Sequence, residues 1–436
     1  MRRLRILRPL RERDFALFTL GEVVTLLGDG FFLVAIAWQV YDLWNVPTAL
    51  AIVGVAQTVP LVAFLLFAGV VIDRIERRWV MFWASVARGA AVGILAALAI
   101  TETVELWHIF AIALVHGAGR AFEGPAAGAI IPDLVPRSQL VQANALSQLI
   151  RPLAYRLLGP AAGGFVVHEL GAGTAFLVDA ASFGFAAVML TLLRPRMAAI
   201  QREEEASMVE DIREGLRYVR RHVWLWGTLA WALFMALLSV GPFVVLVPYV
   251  VKNHLGGDAG DLGLVFAAGG LGAILSSAIV GQTGLPKRHM TFMYGLWAIG
   301  FFDMVLYTVA QVPWQAMLVA FYAEACFGAG LIVWVTLMQR VVPTELLGRV
   351  KSLDWLVSNG FVPISFALTG PAAAWLGAEP VLIIGGISGT ALTVGFFFLP
   401  GMRDTEREGH PAQVVLSDVQ EPDPEEERLA ARSTAV

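Results

Sequence analysis

Glu22 and Asp29 stand seven residues apart in one apolar run, and Arg120 and Glu123 three apart in another. Seven residues return a helix to the same face within about 20°. Three residues put Arg120 and Glu123 on neighbouring turns. An ionisable side chain at the centre of a bilayer costs about 2.5–3.5 kcal/mol on insertion scales, so each of the four requires a role or a partner. A carboxylate in a low dielectric holds its proton more tightly, and a nearby arginine loosens it. An arginine that moves into and out of contact would switch such a carboxylate between binding and releasing a proton. The competing reading is a static buried ion pair that fixes helix packing, and Glu123 could neutralise Arg120 outright.

Other charges share this setting. Asp179, Asp303, Glu324 and Asp354 are further acids in apolar runs, with Asp303 suited to a structural role and Asp354 to a pair with Lys351 or Arg349. Arg88, Arg151 and Arg156 suit gating or packing, and His116 reads as a hydrogen-bonded structural residue more readily than as a titrating one. One cysteine, Cys326, excludes an internal disulfide, and the seven histidines show no ligand spacing. No GxxxxGK[ST] loop is present. A membrane enzyme would want histidines and acids clustered at one face, and none are. No catalytic residues, no metal site and no cofactor are expected.

The elements that must position these groups are transmembrane helices. The chain of 436 residues is 57% hydrophobic and 15% charged, where a soluble protein carries about a quarter charged residues. Its apolar residues fall in runs of about 20, the length of a helix across a roughly 30 Å hydrocarbon core. Twelve runs are expected, near 15–43, 49–72, 79–101, 105–130, 139–168, 173–194, 223–251, 260–283, 289–310, 313–338, 346–376 and 379–400. The first is too long for a signal peptide and reads as a retained helix.

The positive charge is one-sided. Six Arg lie in the N-terminal arm; the connectors after spans 2, 4, 6, 8 and 10 and the tail, with the helix ends adjoining them, hold twenty Lys and Arg; the opposite connectors hold only Lys252. Positive residues stay cytoplasmic, so both termini are expected inside, in the cell membrane. Residues 1–194 form an N-terminal six-helix bundle on this reading, 223–402 a C-terminal one, and 195–222 a charged linker with an amphipathic helix. That helix suits either the membrane surface or a soluble linker. The acidic tail, 403–436, is expected to be disordered. The halves echo each other weakly: Val135-Pro136, Pro152 and Gly159-Pro160 match Val342-Pro343, Pro363 and Gly370-Pro371, with a drift of four residues.

The connector "GVVIDRIERR" carries Gly69, Asp73, Arg74, Arg77 and Arg78. Gly69 permits a close helix approach or a sharp turn, and positive-inside topology alone explains the arginines but not Gly69 and Asp73. The pattern resembles the loop 2–3 signature of the major facilitator superfamily, with Glu76 where the family usually has Gly. The resemblance implies a cytoplasmic charge cluster that latches one half against the other, with Asp133 as a partner for Arg77. The equivalent loop, "GQTGLPKRH", keeps Gly281, Lys287 and Arg288 but has Leu285 at the acidic position, which implies a weaker latch. Arg120-x-x-Glu123-Gly124 resembles the family's span 4 pattern, with Glu123 at a usual Gln. Gly159, Pro160, Gly163 and Gly164 resemble the end of the pattern associated with antiporters, beside a plain reading as packing glycines. Small residues at that spacing permit close helix contact, and Pro160 can bend the span.

"RERDFALFTLGEVVTLLGDG", "EDIREGLRYVRRH", "PYVVKNHLGGDAGDLGLVFAAGGLGA" and "LLGRVKSL" narrow the resemblance to the branch with the enterobactin exporter and the macrolide efflux proteins. It covers about residues 8–400. It implies an all-α polytopic major facilitator fold of 12 transmembrane helices, two pseudo-symmetric six-helix bundles around a central cavity. Spans 1 and 4 line that cavity in the family, which would join Glu22, Asp29, Arg120 and Glu123. Phe32, Gln39, Gln57, Trp231 and Phe234 are the expected substrate contacts. The implied function is proton-coupled export of drugs or an amphipathic natural product such as a siderophore, by alternating access. The alternative is a facilitator or importer of a small metabolite. The expected partners are the bilayer, a small amphipathic or lipophilic substrate and protons; no nucleic acid is expected, and the chain is expected to be monomeric.

Overall fold

Backbone groups in a bilayer core have no water to bond, so long apolar runs close their bonds internally as helices. The computed structural model describes residues 5–194 and 208–407, and no strand occurs among them. The side chain of Asp73, part of the linker and most of the tail lie outside the described residues. The first six expected spans become α1 Arg13–Leu43, α2 Pro47–Arg74, α3 Arg77–Ile100, α4 Leu106–Leu134, the pair α5 Leu140–Arg151 and α6 Gly159–Leu170, and α7 Ala172–Thr191. The linker contains α8, Met208–Arg221. Then follow α9 Val223–Met235, α10 Gly241–Asn253, α11 Ala259–Thr283, α12 His289–Gly300, α13 Asp303–Val309, α14 Pro313–Val341, α15 Thr344–Gly360, α16 Val362–Leu376 and α17 Ala378–Phe397.

Among the described residues, 10 helical segments are long and apolar enough to cross a membrane. Two more long segments pack among them, α4 and the α5–α6 pair, and these hold Arg120, Glu123, Arg151 and Arg156. α5 and α6 do not form one regular helix. A π-helical turn, Pro152–Leu158, joins them, and a second, Ala236–Val240, joins α9 to α10. Each turn is followed by Gly-Pro, and proline lacks the N–H that would continue the ladder. Ser365 repairs the second break: its hydroxyl donates to the Leu237 carbonyl at 2.7 Å and accepts from the Gly241 N–H at 2.9 Å.

The packing is repeated in both halves. α2 lies on α4 as α11 lies on α14, and α3 lies on α7 as α12 and α13 lie on α17. Where the halves meet, α6 lies on α11 and, reciprocally, α16 lies on α2. One apolar cluster crosses this seam, joining Val34, Tyr41 and Val53 to Val245, Leu262 and Phe366. The linker helix α8 is packed against the C-terminal half. It docks on α15 through Gly215 against Arg349, an ion pair from Glu214 to Arg349, and buried Val219.

Candidate functional site

A cavity of about 590 Å³ lies on the arginine-rich side of the seam. Glu22 and Asp29 of α1, Arg88 of α3, Arg120 and Glu123 of α4, and Arg151 of α5 line its polar side; Leu61, Leu65, Met81 and Trp355 are among its apolar lining. The volume is within the range of small-molecule sites, about 300–1,000 Å³.

The four expected residues do share this wall, but the arginine at their centre is Arg88. Its side chain is 2% exposed, and its Nη2 donates to Asp29 Oδ1 at 2.5 Å while its Nη1 binds Glu123. The same Nη2 meets His116 Nε2 at 2.9 Å. Guanidinium cannot accept, so Nε2 is the acceptor and the ring proton sits on Nδ1. The Phe183 ring lies against the guanidinium at 4.2 Å, and Phe32 stacks on His116 at 4.5 Å. Gly119 makes room for the arginine stem: a β-carbon there would lie 2.8 Å from Arg88 Cδ. Arg120 is exposed to the cavity and has no hydrogen bond or ion pair among the described residues. Glu22 pairs instead with Arg151 at 3.5 Å, and Arg156 reaches across to Glu324 of α14 at 2.6 Å.

The reason for this exchange is register. Arg88 sits mid-way along a 24-residue apolar helix, where α3 passes between α4 and α7. A cation there is as costly as one at Arg120, and that central position is the signal in the sequence that marks it. Asp29, His116 and Asp179 bring ligand atoms within 4.8 Å of one another. The Arg88 guanidinium already supplies positive charge at that point, so the group does not suit a metal ion.

None of the five expected substrate contacts is among the cavity's lining residues. Phe32 is buried against His116 and Phe176. Trp231 is buried in the C-terminal half, stacked on Trp297 at 4.2 Å with its N–H bonded to Thr393 at 2.8 Å. A tryptophan so placed satisfies both its apolar body and its donor without a ligand. Phe234 packs near Phe396 on a well-exposed face, and Gln57 presents its backbone to Gly117. Gln39 is half-buried outside the cavity. Asp303 bonds the Met304 N–H at 2.7 Å, and Asp354 takes the Trp334 indole N–H at 3.1 Å instead of Lys351 or Arg349.

The 69–78 connector makes charged contacts within the N-terminal half. Arg77 meets Asp133 at 2.6 Å; Arg78 pairs with Glu76 at 2.6 Å and donates to the Leu193 carbonyl at 2.6 Å. Arg74 closes α2 and is exposed. Glu76 precedes α3 at φ −55°, an ordinary backbone that does not require glycine. A β-carbon on Gly69 would meet nothing within 4 Å, and the same holds at Gly281.

At the other end the halves are locked together. The Tyr41 hydroxyl donates to the Val245 carbonyl at 2.6 Å, and Asn45 and Asn253 exchange amide contacts. Lys252 pairs with Asp42, and His168 meets Asp258 at 3.1 Å. Gly159, Pro160, Gly163 and Gly164 are all buried on α6, which is wedged between α1 and α11. A β-carbon on Gly163 would lie 2.6 Å from Phe31 Cα, and one on Gly164 2.8 Å from Gly263 Cα.

A family of major facilitator transporters described as transmembrane secretion effectors matches residues 5–425. The chain belongs to that family. Among its relatives, an uncharacterized major facilitator transporter, YfiS, of Bacillus subtilis is 23% identical over 92% of this chain and 96% of its own. The multidrug efflux pump Tap of Mycolicibacterium fortuitum is 24% identical over 92% and 98%, and macrolide efflux protein A of Streptococcus pyogenes 21% over 84% and 91%. The nucleoside transporter NupG shares the fold at a TM-score of 0.68 and 11% identity, covering 89% of this chain and 99% of its own. The inward-open xylose transporter XylE from E. coli shares it at 0.63 and 15%, over 93% and 100%. This transporter is therefore an all-helical, multi-pass membrane protein of the major facilitator fold.

Proposed function

We propose that the chain is a proton-coupled exporter of drugs or an amphipathic natural product, working by alternating access. Twelve crossings, counting α4 and the α5–α6 pair, leave both termini and the arginine-rich end in the cytoplasm. The cavity then faces the cytoplasm, and the seam of Tyr41, Asn45 and Lys252 closes the outer mouth.

The observation that carries the coupling is Arg88 held between Asp29 and Glu123 on a cavity wall. Both carboxylates are partly open to the cavity, at 18% and 19%. A proton taken by either weakens its bond to Arg88 and frees the arginine for the other. Binding free energy then differs between loaded and unloaded states, which is what biases a two-state rocking equilibrium. The mixture of Leu, Met and Trp with charges of both signs suits a lipophilic substrate with a polar edge. Export of multiple drugs by Tap and of macrolides by macrolide efflux protein A supports the direction and the class.

The experiment uses inside-out vesicles energised by a proton gradient and supplied with a radiolabelled macrolide. Accumulation is expected to collapse with an uncoupler and with Asp29→Asn. Accumulation that survives both would indicate a facilitator instead. Drug and siderophore sensitivity of a deletion strain then separates the two substrate classes.

A further inference from the structure

We propose that Asp179 of α7 is the carboxyl that holds a proton in this conformation, behind the cavity wall. The inference deepens the proton-coupled reading and rests on it. Asp179 is 0% exposed, whereas Asp29 faces the cavity. Its surroundings are built for a carboxyl. A β-carbon on Gly28 of α1 would lie 2.6 Å from Asp179 Oδ1 and would also strike Ser182, so only glycine lets the carboxyl sit against α1 beside Asp29.

The donors are unevenly shared. Asp29 and Glu123 each receive a guanidinium N–H from Arg88. Asp179 receives none: Oδ2 is buried without a partner, and the Ser182 hydroxyl is 3.5 Å from Oδ1 while bonding the Asp179 carbonyl at 2.7 Å. An ionised carboxylate is acceptor-only and needs donors; a protonated one brings its own O–H. The groups facing Asp179 are Asp29 on α1, Arg88 on α3 and, on α4, His116 and Glu123. With His116 neutral, the Arg88 guanidinium is already shared by Asp29 and Glu123. A charged Asp179 would add a fully buried negative charge with no cation left to pair it, the arrangement proteins avoid by binding a proton.

Proton release then has a simple path. The Asp179 hydroxyl passes its proton to Asp29, whose carboxyl becomes neutral, loosens its hold on Arg88 and gives the proton to cavity water. Arg88 swings to the newly ionised Asp179. Each step moves one proton, and Arg88 pairs with two carboxylates before and after.

The test is infrared spectroscopy of the full-length protein in lipid nanodiscs at neutral pH. Wild type is expected to show the C=O band of a protonated carboxylic acid. Asp179→Asn should lose it, and Asp29→Asn should keep it. Ser182→Ala should shift the band without abolishing it, which guards against a variant that fails to fold. Asp179→Asn should also keep the wild-type melting temperature, because an amide copies the neutral acid. A band that persists in Asp179→Asn, or no band in wild type, overturns the assignment. Transport insensitive to the gradient with the band intact would remove the coupling and leave this proton site standing. Gradient-driven transport without the band would do the reverse.

Discussion

The two ends of α2 behave differently although one helix makes both. Near its start, Thr48, Ala51 and Gly54 are jammed against Gly370 and Phe366 of α16. Near its end, Gly69 faces nothing within 4 Å. α11 repeats the contrast, with Gly263 and Gly270 pressed on α6 and the π turn while Gly281 stands open. Gly54, Gly263 and Gly270 at the seam stand where a side chain would collide with the facing helix; Gly69 and Gly281 have no neighbour to accommodate. The difference teaches that glycines of similar setting in sequence can meet quite different neighbours at the two ends of one helix.

The comparison extends to polar contacts, and three experiments test it. The largest effect is expected at Arg88. Arg88→Ala leaves Asp29 and Glu123 without their shared cation and should destabilise the protein by about 3–5 kcal/mol, read as a melting-temperature loss in detergent. Next come the seam glycines. Gly263→Val overfills the α6–α11 contact by about 1–3 kcal/mol and should cut disulfide formation between Asn45→Cys and Asn253→Cys. Gly69→Val should leave that crosslink unchanged, and equal loss from both would erase the contrast between the ends. The smallest effect is at Lys252. Its pair with Asp42 is partly exposed, so Lys252→Ala should cost only about 0.2–1 kcal/mol; a loss matching Arg88→Ala would show that the outer lock carries more of the fold than its exposure allows.

Much of the fold was legible because bilayer thickness acts directly on the sequence. The run expected at 15–43 is α1 Arg13–Leu43, and the run at 313–338 is α14 Pro313–Val341. The charges of the site were legible too, since each stands out in an apolar run. Their partners were not. Helical spacing places Glu22 and Asp29 on one face of α1, yet nothing in α1 says how α3 is rotated beside it, so Arg88 took the place expected of Arg120. Aromatic residues misled for a related reason: Phe32 lies on α1, which faces the cavity elsewhere, and Trp231 on α9, which does not line it, and both point into packing. The π turns escaped because Gly-Pro reads equally as a bend, and the Asn45–Asn253 contact escaped because neutral amides carry no charge to notice.

One detail of α6 has a mechanical side. Its contacts with α1 and α11 are backbone on backbone, with Gly159 against Gly30 and Gly164 against Gly263. No knob has to leave a socket when such surfaces slip past each other, and no rotamer has to change. On the alternating-access cycle proposed above, this face would serve as a low-friction bearing between the halves, and a side chain added at Gly164 or Gly263 would turn a smooth slide into a ratchet.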